Sequence, residues 1–275
     1  MLTIANKQVT KDLLEKYNLQ AKKRLGQNFI IDPSVVRTIA QKSLTTLEST
    51  VVEIGPGLGA LTQFLAPLSK KVIAIEIDED MVEVLTTELA SLNNVEIIHE
   101  DFLKWDVSVL GNQEVIVVAN VPYYITTPII FKWIESAVQV SSMTLMMQKE
   151  LAHRLVADIN TKDYNALSLM IQYLFEVKTI MQIPKQCFLP IPKVDSSVIQ
   201  FVSKNDPQVV NQSQFFEFLK QSFQMKRKTL VNNLKTTIDK DQLLKVLDAL
   251  KISPDVRAEA ISLDQFIEMY RRLYE

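Results

Sequence analysis

Short runs of apolar and β-branched residues alternate with stretches of helical spacing along the first half of the chain. The apolar runs predict strands at 50–54, 71–77, 95–98, 114–119 and 143–147. Helical spacing predicts helices at 58–68, 78–92, 127–137 and 149–158. The strands are largely apolar on both faces, which is typical of parallel strands covered by helices. The pattern therefore predicts an α/β fold with a parallel sheet, of the Rossmann-like class.

The second half of the chain passes from this alternation to helices alone. A helical pattern covers 166–175. Two strand patterns follow at 177–183 and 197–202, and a proline-containing stretch at 184–192 joins them. A polar break at 204–207 is followed by helical patterns at 214–222, 226–234, 242–250 and 263–273. We therefore expect a large domain over 1–204, which includes an N-terminal segment 1–49, and a small all-helical domain over 205–275.

Glycine is the residue type whose count is most informative. The chain has five glycines, whereas average usage would give about nineteen. Three of them stand in Glu53-Ile54-Gly55-Pro56-Gly57-Leu58-Gly59, between the first predicted strand and the first predicted helix. Such a loop brings backbone N–H groups close to a ligand at the carboxyl end of a parallel sheet. Gly55 and Gly57 are therefore candidate cofactor-binding residues.

Acidic residues end the next two predicted strands. Glu76, at the end of the second strand, can accept hydrogen bonds from both hydroxyls of a ribose. Asp101, after the third strand, can accept a bond from an adenine amine, and Phe102 beside it can cover the base. Together with the glycine loop, these residues predict a site for a cofactor that contains a nucleoside.

Other interpretations of the glycine loop fit less well. A nicotinamide dehydrogenase uses a similar loop and acid, but its motif is G-x-G-x-x-G, whereas this loop is G-x-G-x-G. A nucleotide-binding P-loop is excluded because no Gly-Lys-Ser/Thr follows. A tight turn without a ligand leaves the acids at successive strand ends unexplained. S-adenosylmethionine fits best, since the next motif supplies an acceptor for its methyl group.

That motif is Asn120-Val121-Pro122-Tyr123, directly after the fourth predicted strand. By itself it could be a turn after a strand. Behind the glycine loop, it resembles the N-[LI]-P-[YF] motif of the ribosomal RNA adenine N6,N6-dimethyltransferases, most closely their small-subunit branch. The resemblance implies that the Asn120 side-chain oxygen and the Pro122 carbonyl accept hydrogen bonds from the target amine. It also implies that Tyr123 stacks on a flipped-out adenine and that Phe188 forms a second stacking face.

The resemblance covers nearly the whole chain. Further segments that look like family motifs are 22–30, 147–150, 192–196 and 224–230. By the first of these matches, Asn28 and Ile30 contact the cofactor, and Asn120 contacts it as well. The chain departs from the family at Asn165, where the family usually has glycine after a tyrosine. We expect Asn165 to adopt the left-handed backbone that asparagine tolerates better than most residues.

The net charge of −2 and the isoelectric point near 5.9 argue against nucleic-acid binding when taken alone. The local charge differs, because positions 220–238 hold five basic residues and no acid. We expect RNA phosphates to be bound there and at a second basic cluster, through Lys226, Arg227, Lys228, Lys22, Lys23 and Arg24. The plain alternative is that these residues form solvated surfaces.

The resemblance implies a specific function, which is dimethylation of the N6 amines of two adjacent adenines in the 3′-terminal hairpin of 16S rRNA. The partner would be the immature 30S subunit, and the reaction would contribute to its maturation. The alternatives are a 23S rRNA dimethyltransferase of the macrolide-resistance type and a non-catalytic ribosome-assembly or transcription factor. Segments 147–150 and 192–196 argue against the first, and intact Asp101 and 120–123 against the second.

The remaining expectations concern cellular location, metal content and oligomeric state. No run of eighteen apolar residues or signal-peptide core appears, so we expect a cytoplasmic protein without a membrane partner. One cysteine and two histidines do not make a usual zinc site, and methyl transfer needs no metal, so we expect none. We also expect a monomer.

Overall fold

The structure is a computed structural model and describes residues 3–43, 46–120, 122–204, 206 and 208–275, without the side chain of Tyr123. Its strands are β1 Phe29–Ile30, β2 Thr50–Ile54, β3 Lys71–Glu76, β4 Val95–His99, β5 Val115–Asn120, β6 Val140–Gln148, β7 Phe175–Ile183, β8 Phe188–Leu189 and β9 Ser196–Ser203. Seven of these form one sheet in the order β4-β3-β2-β5-β6-β9-β7, and β1 pairs with β8 in an antiparallel ladder.

The strands β4, β3, β2, β5 and β6 run parallel, as the sequence predicts. Strand β9 lies antiparallel to β6. All five residues of β2 are buried, because β-branched and apolar side chains cover both of its faces. In register, Ile54 pairs with Ile75 on one side and Ala119 on the other, so the carboxyl ends of β2, β3 and β5 lie side by side.

The helices are α1 Lys7–Lys16, α2 Pro33–Ser43, α3 Thr62–Leu65, α4 Glu79–Glu88, α5 Thr126–Glu135, α6 Lys149–Leu155, α7 Ala166–Leu174, α8 Gln212–Ser222, α9 Leu230–Leu234, α10 Lys240–Ala249 and α11 Leu263–Tyr274. Asp78 caps α4 through a bond from Asp80 N. The predicted helix 58–68 is reduced to α3 and a 3₁₀ turn: residues 58–61 form turns, and the α-helix ends before Pro67, which cannot donate a backbone hydrogen bond. Among the described residues, no helix is long and apolar enough to cross a membrane.

The chain divides into two compact units. One comprises Met1–Ala152 and Lys178–Val202, and the other His153–Val177 and Ser203–Glu275. The division differs from the boundary expected near 205, since the segment 153–177 groups with the C-terminal helices. Tyr173 explains the difference, because its ring lies 5.1 Å from that of Phe215 in α8. A break in composition marks where the chain is polar and carries no information about such packing.

Asn165 has φ −158° and ψ 179°, which is extended backbone. The expectation of a left-handed conformation there is wrong. Asn165 instead caps α7, and its side chain accepts from the backbone N–H groups of Leu167 and Ser168. Ser168 Oγ in turn accepts from Asn165 N, which completes a capping box. Asparagine is a strong capping residue, so this position suits it without any special backbone.

The predicted helix 226–234 is also wrong in its first turn. Helix α9 begins only at Leu230, because Thr229 is extended and its side chain accepts from Asn232 N. Lys226, Arg227 and Lys228 lie in the turn before α9 and are exposed. The three basic side chains therefore project from a turn rather than from one helix face.

Candidate active site

One cavity opens where the carboxyl ends of the parallel strands meet. It is lined by every predicted cofactor-binding residue and by three of the four predicted catalytic residues, namely Asn28, Ile30, Gly55, Gly57, Glu76, Asp101, Phe102, Asn120, Pro122 and Phe188. Val121 and the side chain of Tyr123, which carries the remaining catalytic prediction, lie outside the described residues.

The glycine loop forms one wall through its backbone. Gly57 has φ +59°, a conformation that L side chains rarely adopt, and its N–H donates to Glu76 Oε2 at 2.9 Å. A Cβ atom at Gly57 would stand 3.4 Å from the ring of Phe29. The backbone conformation therefore favours glycine at this position, and the N–H bond to Glu76 ties the loop to the end of β3.

Glu76 ends β3 and is 5% exposed. Its Oε1 accepts from Asp78 N at 2.9 Å, and burial raises the pKa of its carboxyl. A carboxylate offers about four acceptor sites. Two N–H bonds thus fix the orientation of Glu76 and leave it able to accept bonds from ribose hydroxyls.

Glu53 is a buried acid in β2 that the sequence analysis named only as part of the glycine motif. It lines the cavity and is 2% exposed. Burial, with a smaller contribution from the charge of Glu76, raises its pKa to about 8. Its Oε2 has no hydrogen-bond partner among the described residues. The signal in the sequence was an acid inside an otherwise β-branched strand.

These features fit S-adenosylmethionine. An orphaned carboxyl oxygen in the wall matches a cationic ligand that carries N–H donors, because such a ligand would satisfy and charge-balance it. Gly55 and Gly57 bring backbone to the cavity wall, and Glu76 keeps acceptor sites for the ribose hydroxyls that the sequence predicts. Among the described residues there is no group of three or more side chains that could hold a metal ion.

Asp101 and Phe102 follow β4 at the base end of this wall. Asp101 Oδ1 accepts from Leu103 N at 3.0 Å and closes a turn. Phe102 is 4% exposed, and its ring lies 5.5 Å from that of Trp133. Lys132 Nζ bonds the Phe102 carbonyl at 2.7 Å. The ring is therefore anchored from behind while it lines the cavity, which suits the predicted cover of an adenine.

The opposite wall holds the predicted target-base residues. Asn120 ends β5 opposite Met146 of β6. The Pro122 carbonyl accepts from Ile125 N at 3.1 Å, and its second lone pair leaves room for another donor. Phe188 is 1% exposed and pairs with Ile30 in the β1–β8 ladder. This ladder brings a cofactor prediction and a base-stacking prediction, 158 residues apart in sequence, to adjacent positions.

The N-terminal segment closes a third side. Asn28 Nδ2 donates to the Gly26 carbonyl at 2.9 Å. A Cβ atom on Gly26, whose φ is +58°, would stand 2.8 Å from Pro122 Cβ, so the segment touches the target-base loop there. Gln27 and Tyr124, which the sequence analysis did not select, also line the cavity. Tyr124 is 65% exposed, which no single-sequence pattern predicts.

The basic residues differ in their surroundings. Lys23 and Arg24 are exposed, whereas Lys22 Nζ is 2.5 Å from carboxylate oxygens of both Asp78 and Asp80. Lys226 Nζ donates to the Lys162 carbonyl at 2.7 Å. None of these basic residues lines the cavity, and their binding to RNA stays a prediction.

The sheet order, the glycine loop and the acids at successive strand ends define a class I S-adenosylmethionine-dependent methyltransferase. The chain belongs to the ribosomal RNA adenine dimethylase family, whose model matches residues 18–275. It is therefore an enzyme that methylates adenine in ribosomal RNA with S-adenosylmethionine as its cofactor.

Relatives and solved structures agree with this membership. The chain is 43% identical to the ribosomal RNA small subunit methyltransferase A of Bacillus cereus and to that of Bacillus mycoides, and each alignment covers 99% of this chain and 98% of the relative. A dimethyladenosine transferase from Plasmodium falciparum superposes with a TM-score of 0.79 at 28% identity, covering 88% of this chain and 96% of that one. The 23S rRNA methyltransferase ErmE shares the fold, with a TM-score of 0.75 at 23% identity, over 90% of this chain and 99% of that one.

Proposed function

We propose that the protein dimethylates the N6 amines of two adjacent adenines in the 3′-terminal hairpin of small-subunit rRNA, within an immature 30S subunit. Relatives that carry the name small subunit methyltransferase A support the choice of subunit. The site observation that carries the proposal is that Glu76 and Asp101 share one cavity with Asn120 and Pro122. The enzyme would act as a monomer in the cytoplasm, where ribosomal subunits are assembled.

The cofactor end of the cavity binds S-adenosylmethionine through acidic side chains and backbone N–H groups. Glu76 accepts from the ribose hydroxyls, Asp101 accepts from the adenine amine, and the loop at Gly55 and Gly57 lets the backbone approach. Asn28 and Ile30 complete this end from the N-terminal segment. When bound, S-adenosylmethionine supplies an electrophilic methyl group on its sulfonium sulfur.

The target end activates a weak nucleophile. The lone pair of the adenine amine is delocalised into the ring, so the nitrogen is planar and unreactive. Acceptance of its N–H bonds by Asn120 Oδ1 and by the Pro122 carbonyl favours a tetrahedral nitrogen with a localised lone pair. Tyr123 and Phe188 hold the base by stacking. Positioning for in-line transfer does most of the remaining work, and the displaced proton leaves to water.

The test is a comparison of ribosomal substrates. Undermodified 30S and 50S subunits are incubated with the protein and labelled cofactor, and the labelled nucleotides are mapped. The proposal predicts label in 30S subunits alone, at two neighbouring adenines, recovered as dimethyladenosine. Label in 23S rRNA would replace the small-subunit assignment with the large-subunit alternative.

A further inference from the structure

Asp78 is a buried charged residue whose contacts exceed what a helix cap needs. It is 3% exposed and lies between Glu76 and α4. Its Oδ1 accepts from Lys22 Nζ at 2.5 Å, and its Oδ2 accepts from Gln27 Nε2 at 2.6 Å. Gln27 Oε1 in turn accepts from Lys22 N at 2.8 Å. These three residues form a closed ring of bonds, which we call the Asp78 clasp.

The clasp holds a segment that has little other regular structure. Residues 25–30 line the cavity, yet this stretch contains only the end of one 3₁₀ turn and the two residues of β1. Lys22 lies three residues before this stretch and Gln27 lies within it, so the clasp holds the stretch near its N-terminal end. Asp78 N also donates to Glu76 Oε1 at 2.9 Å, which places the clasp one hydrogen bond from the proposed ribose acid.

We propose that Asp78 is a positioning residue, which through Lys22 and Gln27 holds residues 22–30 closed over the cofactor end of the cavity. The inference rests on the proposed placement of the cofactor at Gly55, Gly57 and Glu76. It assigns Lys22 a role inside the protein, in place of the RNA contact expected from the sequence.

Because Asp78 is buried, we expect the clasp to stabilise the closed segment more than an ordinary surface ion pair would. The Asp78 side chain is 2% exposed and that of Lys22 29%. A carboxylate that loses its partners at such a site is left charged without compensation, whereas exposed pairs contribute little. Asp78 and Asp80 together raise the pKa of Lys22, so the ammonium stays charged at neutral pH. Opening of the segment therefore separates a buried anion from its cation.

The chain offers a matched control on the same helix. Lys16, at the end of α1, pairs with Glu88 of α4 at 2.6 Å, and its side chain is 58% exposed. This pair also ties the N-terminal region to α4, whereas Lys22 and Asp78 bond Gln27 and Glu76, which line the cavity. Lys16→Met removes the pair with Glu88, and Lys22→Met removes the pairs with Asp78 and Asp80, with the alkyl stem kept in both.

Two variants open the clasp in different ways. Lys22→Met removes the cation at a partly exposed position, where the fold tolerates change. Asp78→Asn removes the anion and keeps a capping side chain for α4, because Asn caps helices as well as Asp. The affinity of each full-length variant for S-adenosylhomocysteine is measured by calorimetry, and amide hydrogen exchange of residues 22–30 is measured without ligand.

The proposal predicts that Lys22→Met and Asp78→Asn each raise the Kd of S-adenosylhomocysteine by roughly tenfold, the scale of one charge-assisted bond. Exchange in 22–30 should rise in both, and the double variant should bind almost as well as either single variant, since the two groups act together. Lys16→Met should stay within about twofold of the wild type in both measurements, which sets the control level.

Unchanged affinity and exchange in Lys22→Met and Asp78→Asn would overturn the proposal, and so would additive losses in the double variant. A wild-type protein that does not bind S-adenosylhomocysteine would overturn the cofactor placement and the inference with it. Normal binding that depends on the clasp, together with no label in 30S subunits, would leave the inference standing and refute only the proposed substrate.

Discussion

The proposed cofactor end and the proposed target end of the cavity differ in the chemistry of their side chains. The cofactor end contains acids, with Glu53 and Glu76 almost fully buried and Asp101 partly exposed. The target end presents neutral groups among its described residues, the amide of Asn120, the carbonyl of Pro122 and the ring of Phe188. Charge suits a cationic cofactor, whereas neutral acceptors suit an uncharged amine. The comparison implies that cofactor affinity and methyl transfer can be lost separately by mutation.

The largest effect is expected at the target end. Asn120→Ala should slow single-turnover methyl transfer by about a hundredfold or more, the scale found when one group that acts in the transition state is removed. Asn120→Asp is a useful companion, because it keeps an oxygen acceptor but adds a charge beside a neutral amine. A rate for Asn120→Ala within about threefold of the wild type would remove this residue from the chemistry.

The next effect concerns the buried acids. A carboxyl whose pKa is raised from 4.5 to about 8 on folding binds a proton more tightly in the folded state. Its contribution to stability is therefore present below about pH 4.5 and is lost as the pH rises towards 8. Glu53→Gln should flatten the fall in unfolding free energy of the cofactor-free protein over this range, by about 3 to 5 kcal/mol.

Denaturant unfolding at several pH values measures this difference. Glu83→Gln, at an exposed position of α4, serves as the control and should leave the pH profile of the wild type unchanged. Parallel profiles for wild type and Glu53→Gln would contradict a protonated Glu53 in the folded protein. Such a result would mean that Glu53 is ionised at neutral pH, which would sharpen the contrast between a charged and a neutral end of the cavity.

A smaller loss is expected for Asp101. Asp101→Ala should weaken cofactor binding by roughly 1–3 kcal/mol, because the adenine amine would lose its acceptor. The loss should appear in the Kd of S-adenosylhomocysteine, and methyl transfer should recover at saturating cofactor. Unchanged affinity by calorimetry would remove Asp101 from the cofactor end.

The smallest effect lies outside the cavity. Replacement of Lys226, Arg227 and Lys228 by Ala should flatten the log–log salt dependence of RNA affinity by about 1.5 to 2, at 0.7 to 0.9 per phosphate contact. Lys226 already donates one bond to Lys162, so fewer than three full contacts are expected. A triple alanine variant at Lys240, Lys245 and Lys251, exposed lysines of the same unit, is the control. Equal slopes in both variants would indicate a solvated surface.

Short motifs in the sequence were sufficient to predict which residues line the cavity, while their contacts with the cofactor and the target base stay predictions. Glycines after one strand and acids at the ends of the next strands are expected to lie close together, because the carboxyl ends of parallel strands meet at one edge of the sheet. The structure places them in one cavity. The Asp78 clasp could not be found in this way, because Lys22 and Asp78 lie 56 positions apart and neither stands in a charge pattern with the other. Lys22 was assigned to RNA because sequence charge does not reveal a buried counter-ion.

Sequence-based prediction of local structure was wrong where a residue or segment is suited to two different conformations. The basic residues 226–228 are of types that favour helices, but Thr229 caps the helix that follows, so α9 begins only after them. Asparagine is common both in left-handed turns and as a helix cap, and at Asn165 the capping box with Ser168 stabilises the cap. Segment 153–177 joins the second unit through aromatic packing, which depends on residues about forty positions away.

The division of labour between the two ends is tested most directly by measuring binding and rate on the same Asn120→Ala sample. The account predicts that its Kd for S-adenosylhomocysteine stays within about threefold of the wild type, because the contact of Asn120 with the cofactor is secondary, while its single-turnover rate on undermodified 30S subunits falls about a hundredfold. A variant that loses affinity and rate in equal proportion, or that keeps its rate, would contradict the assignment of Asn120 to the amine.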